Sequence, residues 1–207
     1  TPDALGPGAV GQVLATRYIQ GELARDPGLD GLRPVAAVST GVLGNTGFES
    51  AELIAGLILE LDPAAVIAID ALAARDLSRL GCTVQLSDTG ISPGAGVQNA
   101  RTGLNRETLG VPVIGIGVPT VVDAATIVND TMENLLAALE TSESLKGVGL
   151  VMQGYSAAEK YELVKELISP HLNGLFVTPK DIDETVKRIS YTISEALNGL
   201  FENRTCT

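Results

Sequence analysis

Apolar positions along the chain fall into two alternating patterns. Short runs of β-branched and aliphatic residues at Val35–Val38, Ala64–Ile69, Thr83–Leu86, Val113–Ile116 and Leu175–Val177 predict strands, and the amphipathic stretches between them predict helices. Several helix starts are spelled out. Thr46 with Glu49, Thr120 with Asp123, Ser156 with Glu159 and Thr178 with Asp181 each have capping-box spacing, in which a hydroxyl and an acid three residues apart satisfy each other's backbone amides. Pro179 adds a proline at a first helical position, where its missing N–H costs nothing. The last helix then sets Ile182, Val186, Ile189, Ile193, Ala196, Leu197 and Leu200 on one face. Strands as free of charge as AAVIAI (64–69) read as buried on both faces, which is the pattern of parallel strands. The alternation therefore predicts an α/β protein, a three-layer α/β/α sandwich with a mostly parallel sheet, as one domain over residues 1–207. Strand order is left open.

Two loops stand out. Residues 141–154 cluster Ser, Glu, Lys and Gly and read as a flexible connection, whereas Gly90–Gly103 is too long and too glycine-rich for a plain connector. The opening is unusual as well. Thr1-Pro2-Asp3 runs into a helix-like stretch (Ala9, Val10, Val13, Leu14, Arg17), although an α/β domain ordinarily begins with a strand; the expectation is a chain lacking its N-terminal strand.

Composition narrows the possible partners. With 207 residues and 45% hydrophobic positions the chain can form a full core unaided. Its net charge of −11 repels phosphates, which argues against nucleic acid, and 3% aromatic residues leave little for stacking. Two cysteines, Cys82 and Cys206, are too few for a disulfide framework and fit a reducing cytoplasm. No apolar run approaches the ~18 residues of a membrane span.

Elimination then points to carboxylates. His171 is the only histidine and sits beyond a proline at a helix end, so a Ser-His-Asp or Cys-His arrangement is disfavoured, and zinc motifs built on paired His or Cys are absent. There is no GxxxxGK[ST], and Gly115 and Gly117 lack the third glycine of GxGxxG because Thr120 stands there. Asp70 follows an apolar strand and precedes ALAAR; it is placed either at a strand tip, where open α/β sheets keep their sites, or as the cap of a following helix. Asp3 lies at a helix start, with Thr1 as cap and Pro2 first, where a helix dipole also favours an acid. Asp123 is explained by its capping box. Asp88-Thr89-Gly90 matches the pepsin-type signature, but that signature belongs to all-β proteins, and a turn at a strand end is the reading kept here.

Longer strings carry a resemblance. TPDALGP (1–7), VIAIDALAAR (66–75), SDTGISPGAGVQN (87–99), ETLGVPVIGIGVPTVVDA (107–124) and LFVTPKDID (175–183) resemble the germination protease family of endospore-forming bacteria, over most of residues 1–135 and again about 160–200. The resemblance implies an aspartic endopeptidase unrelated to pepsin that degrades small acid-soluble spore proteins early in germination, in the cytoplasm of the spore core. It implies a fold similar to hydrogenase maturation endopeptidases, a zymogen processed at its N-terminus, and a homotetramer. The family's two proposed catalytic aspartates fall on Asp3 and Asp70. The family continues upstream of TPDALGP with a strand and a glycine-containing loop. Two departures are visible: Ser92 stands where members often carry histidine, and the region between about 135 and 160 is shorter than the family's.

On this reading Asp3 and Asp70 converge, share one proton and activate water for amide hydrolysis, with no metal and no cofactor. Asn99 and Arg101 are the polar residues expected to bind peptide from the glycine-rich loop. Two alternatives stay open: a metal-assisted endopeptidase with the two aspartates as oxygen ligands, and a non-catalytic binding protein in which both merely cap helices. Substrate identity comes from the resemblance alone, since an acidic protease gains no electrostatic steering toward acidic proteins.

Overall fold

The structure, a computed structural model, describes residues 1–19, 32–97, 101–141, 155–156, 158–163, 166 and 174–201. A single 3-10 turn at Pro2–Ala4 leads into α1 (Leu5–Val10), followed by α2 (Leu43–Thr46), α3 (Ser50–Leu61), β1 (Val66–Ala74), β2 (Gln85–Ser87), α4 (Arg106–Leu109), β3 (Val113–Asp123), α5 (Ala124–Thr141), β4 (Phe176–Val177) and α6 (Ile182–Phe201). Asn99, His171, Cys206 and nearly all of the predicted 141–154 connection lie outside the described residues.

The chain is mixed α/β, but the sheet is not mostly parallel. Among the described residues β1 and β3 form the one parallel pair, from Val66↔Val113 to Ala74↔Val122. β2 runs antiparallel to β3 at residues 115–117, and β4 runs antiparallel to it at Val122 and Asp123. Because β1 already occupies one edge of β3 as far as Val122, β4 must share the other edge with β2. Charge-free strands signal burial on two faces; they do not dictate direction, and β3 is buried along nearly its whole length with antiparallel neighbours on one side.

Four of the five expected strands are present, and Val35–Val38 is not one. Its backbone bonds go to the segment after α1: the Arg17 N–H donates to the Val35 carbonyl, and the Val35 N–H donates to the Thr16 hydroxyl. The first helix is also shorter than its apolar spacing predicts, stopping at Gly11. Beyond it the Asn198 side chain takes over, accepting from the Leu14 N–H and donating to the Gln12 carbonyl.

Helices cover the sheet through two apolar clusters. Leu5 and Ala9 of α1 meet Ile182, Val186, Ile193 and Leu197 of α6 over Ile116 and Val118. Ala51 of α3 and Leu104 and Leu109 meet Ala68 and Val113 in the second cluster. Leu5, Val118 and Val122 are wholly excluded from water, each stabilising the fold by about 1.5–3 kcal/mol. The buried stripe of α6 is rotated from the expected one, with Ser190 and Ser194 buried and Leu200 60% exposed. Close packing explains this. A Cβ on Gly8 would stand 2.9 Å from the Ser190 hydroxyl, so only a small residue fits beneath α1, and that hydroxyl donates to the Leu5 carbonyl.

Helix starts fall near their signals, sometimes one motif away. Ser156 and Glu159 exchange both capping bonds as expected. α3 begins behind Glu49, whose N–H donates to Glu52, so Glu49 is the cap rather than the third helical residue. Asp123 likewise caps α5 directly, accepting from the Ala125 N–H, while Thr120 lies inside β3. Among the described residues no helix is long and apolar enough to cross a membrane.

Candidate active site

Asp70 is not at a strand tip. It is the central residue of β1, paired with Gly117 of β3, and the ALAA that follows continues the strand rather than opening a helix. Alanine favours helix intrinsically, but nine residues of parallel pairing against a long buried strand outweigh that preference. The role of cap to a following helix is therefore excluded for Asp70. Its Oδ1 accepts a local bond from the Ala71 N–H.

Space around Asp70 is made by glycine. Gly115 and Gly117 oppose Ala68 and Asp70 in the register. A Cβ on Gly117 would collide with the Leu72 side chain, and one on Gly115 would stand 2.7 Å from the Gly90 carbonyl oxygen. Gly90 itself has φ +84°, a conformation that favours glycine, and passes against the Leu104 carbonyl. The register shifts by one residue between Leu72 and Ala73, immediately after Pro119, the partner of Leu72. Proline cannot donate to the ladder and so occurs in strands at such irregularities. Thr120 is the extra residue there, and its buried hydroxyl has no hydrogen-bond partner among the described residues.

Asp3 lies in the 3-10 turn that enters α1, with Pro2 leading and no side-chain cap from Thr1. It is exposed, whereas Asp70 is partly buried. α1 rests directly on β1 beside Asp70: a Cβ on Gly6 would be 2.7 Å from the Ile69 carbonyl oxygen. The Asp70 carboxyl is held above the usual carboxylate range, first by burial and then by the like charge of Asp3, against the opposing bond from Ala71. The charge of Asp3 thus reaches Asp70, as the smallest of the three influences on it.

The described part of the glycine-rich loop folds back on itself against β1 and β3. Ile91 and Leu104 exchange backbone bonds of 3.0 and 2.8 Å, and the Arg101 N–H donates to the Pro93 carbonyl. Its 3-10 turn at Ala95–Val97 touches β1, where a Cβ on Gly96 would be 2.9 Å from that of Ala73. Arg101 is exposed. The residue that sequence reasoning missed is Glu49, whose Oε2 accepts from the Thr102 N–H at 3.1 Å. Bonds from Thr102 and the nearby Arg101 cation hold the Glu49 carboxyl below its usual range. Its signal was present, absorbed into a capping box as a local feature. Asp88-Thr89-Gly90 is a turn after β2, where the Thr89 N–H donates to the Ser87 hydroxyl.

Comparison with known proteins bears on the whole chain. The family model described as germination protease matches residues 1–146. A germination protease of Caldanaerobacter subterraneus subsp. tengcongensis is 49% identical over 199 residues, covering 96% of this chain and 61% of that protein. One from Clostridium perfringens is 44% identical over 199 residues, with the same coverages of 96% and 61%. One from Bacillus cereus is 40% identical over 236 residues, covering 99% of this chain and 64% of that protein. The chain therefore spans less than two thirds of the length of these curated relatives. The strings that flank Asp3 and Asp70 lie inside the matched residues, and both the extent of the match and the level of identity place the chain in the germination protease family.

Proposed function

We propose that this chain carries the catalytic centre of an aspartic-type endopeptidase that degrades small acid-soluble spore proteins in the spore core during germination. The observation that supports it best is the pair of aspartates, one on β1 and one leading into α1, with Asp70 pushed toward its protonated form by burial and by the charge of Asp3. On this reading the two carboxyls serve one site, where double ionisation is disfavoured and one proton is held between them. Asp70, whose pKa burial raises, is the partner that carries the proton and donates a hydrogen bond to the scissile carbonyl oxygen. The solvent-facing Asp3 takes a proton from water as its oxygen bonds to the carbonyl carbon. That proton passes to the leaving nitrogen as the C–N bond breaks, and the pair returns to its starting state. The pair titrates as a unit, so its pH–rate profile reports two macroscopic values rather than one residue's.

The two apolar clusters fit a three-layer α/β/α sandwich of the hydrogenase-maturation endopeptidase kind, with Arg101 and Asn99 lining the peptide. The working form is a homotetramer processed from a zymogen, which light scattering of the processed enzyme would check. For the chemistry, the test is cleavage of a purified spore protein by Asp3→Asn and Asp70→Asn variants of the full-length enzyme. Each is expected to lower kcat by about 100-fold or more while leaving the fold intact. Near-normal turnover by folded Asp70→Asn ends this reading.

A further inference from the structure

We propose that Glu49 is a positioning residue that fixes the stem of the glycine-rich loop as the peptide-binding edge beside Asp70; this role rests on the endopeptidase reading. The loop touches the β1–β3 pair on both sides of Asp70. Gly90 packs over Gly115, the partner of Ala68, and Gly96 packs against Ala73. Its base is closed by the paired bonds between Ile91 and Leu104. The returning limb is held at Arg101, whose N–H donates to the Pro93 carbonyl, but that bond stays within the loop and does not tie the limb to a helix. Glu49 does so, across 53 positions of sequence, by accepting from the Thr102 backbone N–H. The carboxylate is itself held, because Glu49 heads α3 and its own N–H is bonded by Glu52. Arg101 adjoins Thr102, so the same contact sets where that guanidinium is presented.

The energetic consequence is uneven. Thr102 is exposed, so an N–H released from Glu49 finds water and the fold loses little. An extended peptide that docks on loop backbone, however, must then order the loop as it binds, and that cost appears in affinity rather than in the chemical step.

The experiment uses the full-length processed enzyme and a purified small acid-soluble spore protein. Glu49→Ser keeps a good helix cap but is too short to reach Thr102, whereas Glu49→Gln keeps the reach and an acceptor oxygen. Glu49→Ser is expected to raise KM about tenfold with kcat within about twofold, and Glu49→Gln to stay within about threefold of wild type on KM. Amide exchange at Thr102 should quicken in the Ser variant and stay slow in the Gln variant, with β1 and β3 unchanged in both. Unchanged KM in folded Glu49→Ser overturns the proposal, as does unchanged exchange at Thr102 or a loss confined to kcat. Asp70→Asn run alongside separates the two ideas: if it cleaves normally while Glu49→Ser raises KM, the two-aspartate chemistry fails and the loop's role stands.

Discussion

Replacing Gly6 with alanine tests how α1 seats Asp3 against β1. The added Cβ would stand 2.7 Å from the Ile69 carbonyl oxygen. Ordinary carbon–oxygen contacts are about 3.3–3.6 Å, so the helix must lift by roughly 0.6–0.9 Å. The obstacle is backbone of a paired strand, which cannot swing aside, and overpacking of this kind costs up to about 3 kcal/mol. Alanine recovers about 1 kcal/mol of helix propensity, leaving a net loss of about 2 kcal/mol. Gly56, in the middle of α3, supplies the control, because a Cβ there meets nothing within 4 Å. Gly56→Ala should gain about 0.5–1 kcal/mol. With a urea m-value of about 2 kcal/mol/M, the two variants should differ in unfolding midpoint by more than about 1 M, in opposite directions from wild type. Since Asp3 lies in the 3-10 turn that leads into α1, the lift also displaces the carboxyl. Turnover by the folded Gly6→Ala protein should drop by about 10- to 100-fold, as misplacements near 1 Å do, with Gly56→Ala unaffected. A Gly6→Ala midpoint equal to or above wild type would mean that α1 does not bear on Ile69, and the seating of Asp3 would have to be reconsidered.

Two further expectations follow from buried polar groups. The folded-state pKa of Asp70 is raised, so the native protein keeps that proton longer than the unfolded chain; the associated stability is complete below the unfolded value near 4 and is lost as pH rises through the folded value. Asp70→Asn, which cannot ionise, should therefore gain on wild type between pH 4 and pH 7, by about 1.4 kcal/mol for each unit of the shift; urea midpoints with an equal gap at both pH values would contradict it. Thr120→Val replaces a buried hydroxyl that has no partner among the described residues with an isosteric methyl, and should hold or raise stability by about 1–2 kcal/mol. A lowered melting temperature would show that the hydroxyl is satisfied after all.

Local signals in the sequence found elements more reliably than they found directions or ends. The apolar runs at 64–69, 83–86, 113–116 and 175–177 all mark real strands, because burial of β-branched residues is a local property. Val35–Val38 has the same composition yet bonds to Thr16 and Arg17, a pairing set by chain neighbours far from it in sequence. β1 and β3 outrun their expected ends at Ile69 and Ile116 because each extends the other: Ala71–Ala74 is strand only by virtue of Val118–Val122. For the same reason the antiparallel direction of β2 and β4 was not legible. Both are short, and their pairing is decided by which stretch of β3 remains open.

The glycines of β3 are the part of the site that sequence could have yielded and did not. Read as a fragment of GxGxxG, Gly115 and Gly117 suggest a nucleotide loop and then fail for want of a third glycine. Read with the two-residue period of a strand, they say something different: both strip the Cβ from one face, at adjacent positions on that face. A buried strand surrenders that packing only where another backbone or a large side chain must come close. Here Gly90 lies over Gly115 and Leu72 over Gly117, and the positions paired with those glycines are Ala68 and Asp70. The same face that is cleared for the loop therefore carries the carboxyl whose pKa is raised by burial. Alanine at Gly117 would force Leu72 out of its place next to Asp70, so the glycine is tied to the carboxyl's surroundings as closely as to the strand. A period-two glycine pair opposite an apolar strand with one central acid is thus a physical pattern that can be searched for in a sequence without any motif.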